Sequence, residues 1–284
     1  MRNIDEHNIT AAVVARLGQG ANARTNRIVG ALVRHLHDFV REVELTEAEW
    51  EQGIGFLTDI GHWCSGQRQE FILLSDVLGV SMLTVALNQR RAAGATEATV
   101  FGPFHTDDAP MCADGDDIAR GAPGEPLFAQ IDVVDLQGRP IAGAEVDTWQ
   151  ADADGLYDVQ RAELGSTRRA RGVFRTDADG RVRFRSIVPT AYPVPTDGPV
   201  GRLLTAAGAH AWRPAHVHFR IRAEGHATLI THLFREPDPY LDSDVVFGVR
   251  SSLVARFERH DAGRGPQAAL GVPYFTLHHR FVLP

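Results

Sequence analysis

The segment Arg213-Pro214-Ala215-His216-Val217-His218-Phe219-Arg220-Ile221 sets two imidazoles two residues apart, alternating with the apolar Val217 and Phe219. On a strand, residues i and i+2 share a face, so His216 and His218 can approach one ion. The pair suits zinc, iron or copper, and it equally suits a polar sheet face without any ion. The chain carries no HExxH helix, no cysteine cluster and no GxSxG elbow to complete a familiar site. Of its four tyrosines, at 157, 192, 240 and 274, two lie in turn-rich stretches upstream of the histidines: Asp154-Gly155-Leu156-Tyr157-Asp158 and Pro189-Thr190-Ala191-Tyr192-Pro193-Val194-Pro195. Prolines at 189 and 193 restrict the backbone around Tyr192 and suit it to hold a phenol in place. Taken singly, each tyrosine also fits an ordinary part-buried ring whose hydroxyl bonds the backbone.

These side chains need a scaffold, and the chain changes character about a third of the way along. Ile28, Leu32, Leu36, Phe39 and Val40 recur at three- and four-residue intervals, which predicts a helix with one apolar face. Thr46 and Glu49 have capping-box spacing, so another helix is expected to run from there through Ile54, Leu57 and Ile60 toward Trp63. The stretch from Gln69 to Arg91 is apolar around most of its circumference and predicts a fourth, buried helix, inside which Asp76 needs a partner. After Ala92 to Gly94 the pattern shifts. From about Leu127 strand-like runs, 128–134 and 144–150, alternate with turn signals, so this half reads as all-β and the chain as α+β.

Asp152-Ala153-Asp154-Gly155 and Asp177-Ala178-Asp179-Gly180 resemble each other and predict hairpin-type turns with glycine at positive φ. A calcium loop fails, because Asp152 and Asp154 at positions three and five would put Gln150 at position one and Arg161 at position twelve.

Bulk properties exclude other classes. With 29 Lys and Arg against 36 Asp and Glu, a net charge of -7 and no basic block, nucleic acid is not the expected partner. The apolar run near 71–87 is broken by Ser75, Asp76 and Ser81, and the N-terminus lacks a signal pattern, so no membrane span and a cytoplasmic location are expected. Cys64 and Cys112 are too few for a disulfide framework. No GxGxxG or GxxxxGK loop points to nucleotides.

Gly155-Leu156-Tyr157, Tyr192-Pro193 and Arg213-Pro214-Ala215-His216-Val217-His218, in that order and spacing, resemble the intradiol ring-cleaving dioxygenases. The similarity covers most of the chain, and Gln69 to Met82 with Thr99-Val100-Phe101-Gly102-Pro103-Phe104-His105 resembles the hydroxyquinol branch of that family. The resemblance implies an N-terminal helical dimerisation domain, residues 1–104, and an antiparallel β-sandwich catalytic domain, residues 105–284. It further implies one Fe(III) per subunit held by Tyr157, Tyr192, His216 and His218, a homodimer, and a phospholipid in an apolar tunnel between the helices, which the Ile28 to Val40 face can accommodate. Phenolate is a hard, strongly donating ligand that suits a ferric ion, and a tyrosine pKa near ~10 requires the metal's charge to deprotonate both phenols.

Under the same resemblance Tyr192 leaves the metal and takes a substrate proton, and Arg213 stands over the ring to stabilise developing negative charge. His232, sixteen residues after His216, occupies the place of a glutamine in catechol-cleaving relatives and supports the site without ligating. Leu73, Asp76, Val100, Phe101, Gly102, Pro103, Phe104, Val194, Pro195 and Val246 are expected to surround the substrate. Asp76 would accept a bond from a third ring hydroxyl, or else bond a backbone amide or an arginine. The expected reaction is O2-dependent cleavage of hydroxyquinol (benzene-1,2,4-triol) to 3-hydroxymuconate and maleylacetate. The alternatives are catechol or a chlorocatechol as substrate, a zinc hydrolase, and a non-enzymatic transthyretin-like sandwich.

Overall fold

Asn22 accepts a bond from the Thr25 amide and starts the longest helix, so the apolar spacing beyond it is realised as predicted. The computed structural model describes residues 2–66 and 68–284, and contacts divide the chain into two units, Met1–Asp59 and Ile60–Pro284. In the first, α1 (Ile9–Leu17) packs on α2 (Ala23–Glu42). The apolar row Ile28, Leu32, Leu36, Phe39 and Val40 on α2 is 43–55% exposed. α3 (Glu47–Trp63) begins with the expected reciprocal cap: the Glu49 amide donates to Thr46 Oγ1 and the Thr46 amide to Glu49 Oε2.

The single helix expected over 69–91 is instead two, α4 (Glu70–Val77) and α5 (Val80–Asn88), bent by 76°. Gly79 at φ +70 breaks it, in the left-handed region where a Cβ is strained. The Ser75 and Ser81 hydroxyls, 2.9 Å apart, close the corner. Among the described residues no single helix is long and apolar enough to cross a membrane; α4 and α5 reach that composition only together, across the bend.

The remaining elements are β1 (Pro126–Asp135), β2 (Glu145–Gln150), β3 (Arg171–Arg175), β4 (Arg181–Ile187), β5 (Tyr192–Pro193), α6 (Pro199–Ala206), β6 (Trp212–Arg213), β7 (His216–Arg222), β8 (Leu229–Glu236), β9 (Val254–Arg256), β10 (Glu258–His260) and β11 (Tyr274–Leu283). They form one sheet in the order β10-β11-β1-β4, a second in the order β3-β2-β7-β8-β9, and a β5-β6 ribbon. Pairing is antiparallel except for β1 with β11 and β8 with β9. The turn at Asp177–Gly180 has the expected positive φ at Gly180. It is not a hairpin, however, because β3 and β4 belong to different sheets and the chain crosses between them there.

Ile131, Val133, Phe184 and Phe281 from the first sheet meet Val146, Val217, Phe219, Ile221 and Leu233 from the second in one buried core. Each such side chain contributes roughly 1.5–3 kcal/mol by leaving water. Since Val217, Phe219 and Ile221 fill this core, the pleat of β7 turns His216 and His218 to the opposite face of the five-stranded sheet.

Candidate metal centre

That opposite face carries a cross-strand row. Arg171 on β3 pairs with Trp149 on β2, Trp149 with His218 on β7, and His218 with His232 on β8. The Trp149 ring stacks on His218 at 4.8 Å and 14°, and the His232 ring lies 4.1 Å from the same imidazole. Main-chain register thus sets the height and tilt of both histidines of β7.

The two tyrosines arrive on loops. After β2, Asp152 Oδ1 accepts from the amides of Asp154 and Leu156, and the turn ends at Gly155 with φ +78. A Cβ on Gly155 would lie 2.7 Å from Tyr192 Cβ, so the glycine lets the two tyrosine loops touch. Tyr157 then caps a short 3-10 turn, its amide donating to Gln160 Oε1. Tyr192, between its prolines, pairs with Arg213 in the β5-β6 ribbon.

Four donors converge. Tyr157 Oη lies 3.1 Å from Tyr192 Oη, 2.9 Å from His218 Nε2 and 3.4 Å from His216 Nε2. Tyr192 Oη is 3.4 Å from His216 Nε2, and the two Nε2 atoms are 3.1 Å apart. Ligand atoms on bonds of about 2.0–2.1 Å that subtend 90–120° at one ion stand roughly 2.9–3.6 Å from each other. The five separations fall in that range. His216 Nδ1 donates to the Pro214 carbonyl at 2.7 Å, which leaves its Nε2 lone pair facing the cluster.

The electrostatics of the donor set suit a cation. Burial, reinforced by Tyr192, holds the Tyr157 phenol well above the ordinary tyrosine range, with Arg213 and Arg171 pulling the other way. Burial also raises Tyr192, while Arg213 opposes it. Burial, then Arg213, lowers His216 to about 3, and burial first, then neighbouring imidazoles, holds His218 and His232 well below the normal histidine range. Two neutral imidazoles and two phenols that only a cation would ionise fit a mononuclear non-haem ferric ion. His232 joins His216 and His218 in a cluster of three buried imidazoles. Its Nδ1 is bonded to Thr99 Oγ1, and its ring backs the two β7 histidines.

The centre opens into a cavity of about 600 Å³. Of the residues expected around a substrate, Leu73, Asp76, Val100, Gly102, Pro103, Phe104, Val194, Pro195 and Val246 line it, together with Tyr192 and Arg213. Phe101 does not; its ring packs on His105 and Trp149. Gly102, at φ +77, has a further role, because a Cβ there would come within 3.1 Å of His218 Cε1. Asp76 is 5% exposed, and burial raises its carboxyl pKa against the opposing effects of Ser81 and Arg213.

Several participants escape sequence reasoning. Asp244 is paired with the Arg213 guanidinium at 3.1 Å and accepts from the Gly248 amide at 3.0 Å, which holds Arg213 Nη1 3.2 Å from His216 Nε2. It sits in an acidic loop with nothing to distinguish it from Asp242. Thr99, Trp149 and the buried Arg171–Asp158 pair are likewise found only in space.

Known proteins align with this arrangement throughout. A family model described as Dioxygenase matches residues 100–281, and one described as Catechol dioxygenase N terminus matches residues 22–96. The chain is 59% identical over 263 residues to a 6-chlorohydroxyquinol 1,2-dioxygenase of Cupriavidus pinatubonensis, covering 93% of this chain and 95% of that one. It is 50% identical over 258 residues to a hydroxyquinol 1,2-dioxygenase of Nocardioides simplex, covering 91% and 87%. The crystal structure of a hydroxyquinol 1,2-dioxygenase from Pseudomonas putida DLL-E4 superposes with a TM-score of 0.90 at 48% identity, covering 98% of each chain.

Proposed function

This chain belongs to the intradiol ring-cleavage dioxygenase family, and we propose that it cleaves hydroxyquinol between its two adjacent hydroxyl-bearing carbons. Both atoms of O2 enter the product, 3-hydroxy-cis,cis-muconate, which tautomerises to maleylacetate. The observation that carries this reading is the convergence of Tyr157, Tyr192, His216 and His218, five of whose donor separations are 2.9–3.4 Å, beside a cavity lined by Tyr192, Asp76 and Arg213.

Tyr157, Tyr192, His216 and His218 would hold a ferric ion, which would supply Lewis acidity toward the phenols and the diol. The protein's own groups do the rest. Tyr192 would take up one hydroxyl proton of the substrate at its Oη, which lies beside the other three donors. Arg213, held by Asp244 beside the imidazole of His216, presents a fixed positive charge to the negative charge that develops on the ring. Leu73, Val100, Pro103, Phe104, Val194, Pro195 and Val246 form walls that exclude water and fix the ring plane. Asp76 accepts a bond from the third hydroxyl, which catechol lacks. His232 and Gly102 support the imidazole of His218 from two sides.

Oxygen uptake on hydroxyquinol, 6-chlorohydroxyquinol, catechol and 4-chlorocatechol, measured beside iron content and the visible spectrum, tests the reading. Fastest uptake on hydroxyquinol by a reddish, iron-loaded protein is expected. Preference for catechol would move the substrate assignment, and a colourless zinc protein without oxygenase activity would support the hydrolase alternative built on the three clustered histidines.

The half-exposed row on α2 supports a homodimer through the helical domain, with an apolar chain such as that of a phospholipid covering part of it. Light scattering and lipid extraction test both. A domain boundary near residue 104 is supported by the family models, which change between residues 96 and 100. A cytoplasmic enzyme fits the two free cysteines.

A further inference from the structure

The two phenols are held in different ways. Tyr192 is fixed through the main chain, by its prolines and a two-residue ribbon. Tyr157 is followed by Asp158, whose side chain is 1% exposed and ion-paired with Arg171, also 1% exposed. Arg171 Nε reaches both carboxylate oxygens, at 2.9 and 2.8 Å. Asp158 accepts in addition from the amides of Val159 and Arg169. The guanidinium's remaining arm, Nη1, donates to the Phe104 carbonyl at 3.1 Å and to Thr106 Oγ1 at 3.3 Å. The Phe104 ring then stacks on the Tyr157 ring, 4.6 Å away and tilted by 24°. One guanidinium therefore ties β3, the backbone beside Tyr157 and the residue that covers its ring.

Resting on the proposed function, we infer that Arg171 and Asp158 are a positioning pair for the metal centre, which locks Tyr157 and Phe104 so that Tyr157 remains the permanent phenol ligand while Tyr192 exchanges. Neither residue touches the four donor atoms. The pair acts through the ring position of Tyr157 and through Phe104, which is also a wall of the cavity. Arginine is required because three separate acceptor groups lie around one planar cation, an arrangement that a lysine ammonium reproduces only in part.

The test uses the full-length protein loaded with ferric ion, comparing wild type with Arg171→Met, Arg171→Lys and Asp158→Asn. Iron retention against a chelator, the phenolate-to-iron visible band, and kcat and KM on hydroxyquinol are measured together. Arg171→Met is expected to lower iron affinity by roughly 10–100-fold, as loss of a ligand's supporting partner does, and to shift and broaden the band. Arg171→Lys should fall between it and wild type. Should Arg171→Met not fold, Arg171→Lys and Asp158→Asn carry the same readouts. A folded variant set with lower melting temperatures but unchanged iron affinity and band position would overturn the inference, since the pair would then be a stability element only. A colourless, iron-free wild type would overturn the functional reading and this inference with it, whereas a coloured wild type beside unaltered variants overturns the inference alone.

Discussion

Strand β7 and the two tyrosine loops deliver the same number of donors to the centre by opposite means. His216 and His218 sit on the central strand of a five-stranded sheet, His218 paired on both sides and His216 with β8, with Val217 and Phe219 buried in the sandwich behind them. Their position follows from backbone register, and a one-residue slip of β7 would turn both imidazoles into the core. Tyr157 stands on irregular chain and Tyr192 on a two-residue ribbon, placed by Gly155, by prolines and by the Arg171–Asp158 ion pair. The contrast teaches that the sheet half fixes its donors by register, while the loop half is adjustable residue by residue and is where the proposed exchange of Tyr192 would take place.

The most severe way to break this comparison is His218→Ala. Loss of a donor from the rigid half should abolish stable iron binding and the visible band, with activity at background; retained iron would show that the sheet half does not anchor the metal. Tyr192→Phe probes the loop half and should keep iron yet lose about 10²–10⁴-fold in turnover, the range for a positioned proton acceptor. Unchanged turnover would remove Tyr192 from that role.

A smaller effect is expected at Asp76→Ala. The ratio of hydroxyquinol to catechol turnover should drop by roughly 10–100-fold, corresponding to one hydrogen bond to a charged group. An equal loss on both substrates would place Asp76 outside the specificity argument. Smallest is the pH response of the metal-free protein. Its buried imidazoles stay neutral, His216 being lowered to about 3, while the unfolded chain takes up protons below about pH 6.5. The unfolded state therefore binds more protons in that window, and stability falls as pH drops from about 6.5 toward 3, by up to roughly 1.4 kcal/mol per pH unit for each such group. Urea midpoints that stay level between pH 7 and pH 5 would contradict this.

Periodicity alone carried the α2 face, the Thr46–Glu49 cap, strands β1 and β2 and the shared face of His216 and His218, because each depends on neighbours within a few residues. The choice of Tyr157 and Tyr192 as ligands needed family resemblance, since turn-rich surroundings and prolines mark constrained phenols but fit an ordinary part-buried ring equally well. The unbroken helix expected over 69–91 failed at Gly79, where the apolar pattern continues but the backbone turns. The Asp177–Gly180 turn was legible as a turn but not as a crossing between sheets, because which sheet a strand joins is not a local property.

What the amino-acid order determined by itself is the set of local shapes and the chemical types on offer: two imidazoles on one strand face, phenols in constrained loops, a helical half and a β half. Tertiary structure decided which distant groups became partners. Arg213 found Asp244 thirty-one residues away, and Arg171 found Phe104 across sixty-seven. Such pairings arise when side chains are dehydrated together and must satisfy one another, a condition that exists only once the sheets have closed.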